Sequence, residues 1–175
     1  MKLTWFGGTA LRVYIGGEIV VVDADAAPDG IDRGELLAGA DKIVGLADPS
    51  LPLIDVTTWR PRPAVRGIDE LPPVEVLRIA PGSLLISAPG EPPLAILGSG
   101  EAPRFGRWAD GAVIVLTSCR DSLVAEATVL LDVARPRLIA LVADEQTLDT
   151  AIEELSEHLD GAALVSLEPG LALEV

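Results

Sequence analysis

Lys2-Leu3-Thr4-Trp5-Phe6-Gly7-Gly8-Thr9-Ala10-Leu11-Arg12-Val13-Tyr14-Ile15-Gly16-Gly17-Glu18-Ile19-Val20-Val21-Val22-Asp23 is the stretch whose reading decides the fold. Its apolar residues come in pieces of four or five, each too short for a helix and each bounded by glycine or a charge. Residues 3–6, 11–15 and 18–22 therefore read as three strands. Gly16-Gly17 supplies the positive φ that a two-residue hairpin requires. Asp23 ends the third strand and opens a turn-rich stretch that also holds Asp25, Asp29, Asp32 and Glu35. These acids miss the spacing of a calcium loop, because counting from Asp25 puts Ala27 third and Leu36 twelfth. They read as a solvated turn whose Asp32 caps a short helix over 34–40.

The same grammar continues outward. A strand is expected at 42–46, then a proline-rich segment over 48–73 with one further strand near 56–59. Residues 74–79, 83–87 and 94–97 read as a meander turned at Pro81-Gly82 and Pro89-Gly90. Residues 112–116 form an unbroken apolar strand. Leu123, Ala127, Leu130, Leu131 and Ala134 share one face of a helix over 122–134. After Pro136 come a strand at 138–142 and a second amphipathic helix over 146–159, striped by Leu148, Ala151, Ile152, Leu155 and Leu159. Residues 163–167 and 171–175 read as a closing hairpin around Pro169-Gly170. Strand meanders with helices on their outer faces predict an α+β layered sandwich, one domain over 1–175.

Composition narrows the function. The chain carries 13 basic and 27 acidic residues, a net charge of −14, and a pI near 4.3. Such a surface repels phosphate backbones and anionic lipid, so neither nucleic acid nor membrane is expected as a partner. Mean hydropathy is +0.41, yet the longest apolar runs are strand length, far below the ~20 residues of a membrane span. No continuous apolar run follows Met1-Lys2, so no signal peptide is expected and the cytoplasm is the expected compartment. Cys119 is the single cysteine, which fits a reducing compartment.

The opening resembles the metallo-β-lactamase superfamily, in its ascorbate-6-phosphate-lactonase-like branch. That resemblance rests on the strand, the Gly7-Gly8-Thr9-Ala10 step, the hairpin, and the strand ending in Asp23. It implies an αββα four-layer sandwich, here shortened, and a metal-dependent hydrolase. It places Gly8 where the family keeps histidine. Along Ile43-Val44-Gly45-Leu46-Ala47-Asp48-Pro49-Ser50-Leu51 it puts Leu46, Asp48 and Leu51 at three histidine positions and Ser50 at an aspartate. Ser99, in Gly98-Ser99, stands for the metal-bridging aspartate, and Ala143, after Arg135-Pro136-Arg137 and the next strand, for a late histidine. Zinc needs nitrogen, sulfur or carboxylate donors, commonly three plus water. The chain has one histidine, His158, on the last helix. The implied site is thus degenerate, with no metal and no cofactor expected.

Two readings follow. In the first, the fold is retained without chemistry, as a binding, regulatory or oligomer-forming protein whose small-molecule ligand is unknown. In the second, altered or weakly metal-dependent hydrolysis uses Asp23, Asp48, Ser99 and Asp144 in the old cleft. The stripped-down segment over 48–73 is expected to bare a sheet edge, which makes a homo-oligomer possible. Other features read as structural: Cys119 as a small core residue, Ser122 as a helix cap, His158 as a cation suited to a helix C-terminus. Gly98-Ser99-Gly100 lacks the third glycine of a dinucleotide fingerprint.

Overall fold

The computed structural model describes residues 1–63, 72–98, 103–117 and 120–175, without the side chains of 120 and 121. In chain order its elements are β1 (Lys2–Trp5), β2 (Leu11–Ile15), β3 (Glu18–Val22), α1 (Arg33–Leu37), β4 (Lys42–Val44), β5 (Glu75–Ala80), β6 (Ser83–Ser87), β7 (Leu94–Leu97), β8 (Val113–Leu116), α2 (Arg120–Val133), β9 (Leu138–Leu141), α3 (Glu145–Leu155), β10 (Ala163–Ser166) and β11 (Ala172–Glu174). The first sheet runs β11-β1-β2-β3-β4, the second β10-β9-β8-β7-β6-β5.

Alternation along the first three strands explains how the sheets meet. Leu3, Val13, Val20 and Val22 point one way and pack on Leu84, Ile86, Ile96, Val113 and Val115 of the second sheet. Phe6 and Val21 point the other way, onto Leu36 of α1. The second sheet's outer face carries Leu85, Ile114 and Ile139 beneath Leu123, Ala127 and Leu130 of α2 and Ala151 and Leu155 of α3. Helix, sheet, sheet, helix is the α+β four-layer arrangement expected. Strands β6, β7, β8 and β9 are buried on both faces, so β7, β8 and β9 are unbroken apolar runs and β6 is apolar between its terminal serines. Each fully buried leucine there, such as Leu84 or Leu94, contributes about 1.5–3 kcal/mol.

Four sequence expectations change. The strand expected at 56–59 is a turn, because the Asp55 carboxylate accepts from the Thr57 amide at 2.9 Å and its hydroxyl at 2.6 Å. That local bonding outcompetes the β preference of Val56-Thr57-Thr58-Trp59. The closing hairpin does not form: β10 lies parallel to β9 in the second sheet, and β11 pairs antiparallel with β1 in the first. Helix α2 starts at Arg120, so Ser122 lies inside it rather than capping it. Helix α3 ends at Leu155, leaving His158 beyond it with Nδ1 3.1 Å from the Glu154 carbonyl oxygen. Asp32 does cap α1, accepting from the Gly34 and Glu35 amides at 2.8 and 3.2 Å.

The proline-rich segment also behaves differently from expectation. Residues 52–54 lie along β5, with the Arg78 amide donating to Pro52 and the Ile54 amide donating to Arg78. The edge strand of the second sheet is thereby bridged at Arg78. Among the described residues, no helix is long and apolar enough to cross a membrane.

Candidate functional site

Strands β3 and β4 run parallel and end together, and the chain leaving them meets the turns that join β5 to β6 and follow β7. The result is a cleft of about 390 Å³ lined by Thr9, Asp23, Leu46, Pro81, Gly82 and Gly98. Among the described residues, Asp23 is the one ionisable wall residue. The backbone there is left-handed (φ 48°, ψ 46°), a conformation that aspartate tolerates better than most residues.

Both carboxylate oxygens of Asp23 are already engaged by the scaffold. Oδ2 accepts from the Thr9 hydroxyl at 2.7 Å and Oδ1 from the Leu46 amide at 2.7 Å. The Asp23 amide donates in turn to Val44 at 2.9 Å. One side chain therefore ties the β1–β2 turn to the end of β4. These are short, charge-assisted bonds of the stronger kind.

The surrounding positions have closed around that tie. Gly8 has φ +55°, and a Cβ there would stand 2.4 Å from the Ala26 carbonyl oxygen, so no larger side chain fits this backbone. Leu46 is buried in the inter-sheet core. Its Cδ2 would lie 2.7 Å from a Cβ on Gly98, so the leucine occupies the space a side chain at 98 would need. Leu51, half-buried, packs against the same core.

Asp48 neighbours Asp23, since a Cβ on Gly45 would stand 3.7 Å from Asp23 Oδ1 and 3.8 Å from Asp48 Cβ. Asp48 is not among the cleft walls; its Oδ1 accepts from the Ser50 amide at 2.8 Å. The hydrogen bonds of the Ser50 side chain and amide hold the Asp48 carboxyl below the usual aspartate range. Asp144 caps α3, accepting from the Thr147 amide at 3.0 Å and hydroxyl at 2.8 Å, which likewise hold its carboxyl low. Ala143 lines a different depression, under α3. Ser99 and Cys119 lie outside the described residues. Leu46 thus lines one depression and Ala143 another, while Asp144, named with Asp23, Asp48 and Ser99 for an altered site, caps a helix.

Among the described residues, no three His, Cys, Asp or Glu side chains form a group able to hold a metal ion. Asp23, the acid in the cleft, has each oxygen directed at a scaffold donor. Zinc takes commonly three such ligands plus water. The altered site imagined from Asp23, Asp48, Ser99 and Asp144 meets the same obstacle, since the cleft walls include only the first of its three aspartates.

No protein-family model matches the sequence, and no curated protein matches it either. Two solved structures are similar. One is a protein assigned as a Zn-dependent hydrolase of the metallo-β-lactamase superfamily from Thermotoga maritima, 12% identical, TM-score 0.48, covering 96% of this chain and 99% of that one. The other is a metallo hydrolase from the archaeon Ignicoccus hospitalis, 14% identical, TM-score 0.46, covering 99% of this chain and 98% of that one.

The depression under α3 went unnoticed in the sequence. Its volume is about 430 Å³ and its walls come from β1, α3 and the segment after β10. Only the splitting of residues 163–175 between two sheets creates it.

Proposed function

We propose that this protein is a non-catalytic, ligand-binding form of the αββα hydrolase sandwich. The observation that carries the reading is the engagement of Asp23: its two oxygens accept from Thr9 and Leu46, so the acid fastens strands. Leu46 packed over Gly98 supports the same reading, since aliphatic carbon stands where a reacting group would have to enter. A hydrolytic metal must lower the pKa of its water to about 7, and that requires a donor set which the described cleft walls do not supply.

The test is elemental analysis of protein purified without added metal and again after dialysis against zinc, manganese and magnesium. Turnover of phosphodiester, lactone and thioester probes is measured on the same samples. The expected result is sub-stoichiometric metal and no turnover above buffer. Stoichiometric metal together with turnover that Asp23→Asn abolishes would overturn the reading.

A further inference from the structure

The depression under α3 has the build of a ligand site. Trp5, Leu148, Ile152, Leu167 and Pro169 form its apolar walls. Its size falls within the ~300–1,000 Å³ of small-molecule pockets. The indole is fixed in place: Trp5 Nε1 donates to the Gly8 carbonyl at 3.0 Å, and the Trp5 carbonyl accepts from the Gly170 amide at 2.8 Å. The crossover from β10 to β11 is thereby stapled to β1 and holds one wall at a set distance from the helix.

The charge on these walls is of one sign. Glu145, Asp149 and Glu168 stand among the apolar residues, and among the described residues no basic one does. All three are exposed, and among the described residues no ion pair engages any of them. Glu145 and Asp149 sit one helical turn apart on α3, with Leu148 and Ile152 on the same face. Glu168 faces them from the crossover. An aromatic wall beside carboxylates is an arrangement that recognises an organic cation, since the ring and the acids both attract positive charge. The net charge of −14 adds a field that concentrates cations and repels anions.

From this geometry we infer that the cleft between α3 and the β10–β11 crossover binds small organic amines: a protonated or quaternary nitrogen among Glu145, Asp149 and Glu168, and an apolar body against Trp5, Leu148 and Ile152. The inference is independent of whether the Asp23 cleft is catalytic.

Calorimetric titration with three probes of matched shape tests it: 2-phenylethylamine, the neutral 2-phenylethanol and the anionic 3-phenylpropionate. The amine is expected to bind saturably, about tenfold tighter than the alcohol, with no binding of the acid. Asp149→Asn combined with Glu168→Gln should bring amine affinity down to that of the alcohol. Ile152→Trp, at a residue 40% exposed and therefore tolerant of change, should fill the cleft and abolish both. The proposal is overturned by no saturable heat up to about 10 mM, by equal affinity for amine and alcohol, or by amine binding that Ile152→Trp leaves intact. That last outcome would show diffuse attraction to an acidic surface.

Discussion

At the scale of the residue, Asp23 joins two parts of the first sheet through one carboxylate. Asp23→Ala removes the acceptor from the Thr9 hydroxyl and the Leu46 amide and leaves both donors partly buried. Hydrogen bonds to charged groups are worth roughly 1.5–3 kcal/mol, and with partial relaxation the loss should total about 2–3 kcal/mol. A urea titration measures it; a change below about 0.5 kcal/mol, the range of an ordinary surface substitution, would make the tie unimportant. Gly8→His tests the other side of the argument. The side chain would enter a left-handed backbone with its Cβ against the Ala26 carbonyl, so it should cost about 1–3 kcal/mol and recruit no zinc. Zinc bound stoichiometrically by that variant would show that the scaffold still holds a latent site. Neither residue's role was legible beforehand, since nothing in the order Asp23-Ala24-Asp25 says which donors will face the carboxylate.

At the scale of the element, small devices hold short pieces together. Helix α1 is only five residues and cannot persist alone. Arg12 secures it from β2, its Nη1 donating to the Leu36 carbonyl at 3.0 Å and the Ala38 carbonyl at 2.6 Å. Arg12→Ala should therefore lower stability by about 1 kcal/mol and quicken amide exchange within Arg33–Leu37 more than elsewhere. Glu18 works similarly: burial pushes its carboxyl up, but Lys42 and the Val74 amide outweigh that and hold it below 4.5. Asp144 is held below 3.8 by Thr147. Both groups have folded-state values lower than their unfolded ones, so their contribution is full above the ordinary values and lost as pH falls through the folded values. The melting temperature should thus stay level from neutral pH to about 5 and then drop. The advantage of the native chain over Asp144→Asn and Glu18→Gln should shrink in the same acid window. An advantage that persisted at the acid end would show these carboxylates are not the groups responsible. Capping was readable here, since Asp32 declared itself by residue type before a short helix. Val56-Thr57-Thr58-Trp59 was not, because its β preference gave way to the Asp55 turn.

At the scale of the whole molecule, the charge of −14 sits on a surface whose described ion pairs are few and mostly exposed, such as Arg33–Asp25 and Arg135–Asp160. Self-repulsion then works against the folded state, and added salt screens it over a Debye length of about 10 Å at 0.1 M. Melting temperature should rise as sodium chloride increases from low to near-molar concentration. A flat or falling curve would mean that attractive pairs, not repulsion, dominate the surface. The edges of the two sheets carry a second expectation. Leu3 of β1 is fully buried and pairs with Leu173 of β11, so removing residues 170–175 should bare β1 as an edge strand and promote aggregation.

What the order of residues determined by itself was local. Stretches such as Leu84-Leu85-Ile86 or Val113-Ile114-Val115-Leu116 can only be strands buried on both sides, and alternation in 11–15 requires one face in and one face out. From those periods the layers followed. The pairing of β10 and β11 with different sheets was decided in three dimensions, as was the seating of Asp23 between Thr9 and Leu46 and the cleft that the crossover leaves beside α3. Periodicity records which side of a strand is apolar, because that depends on neighbours in the chain. It carries no record of which distant strand or donor will lie alongside, because that is settled by the burial gained when the whole sandwich closes.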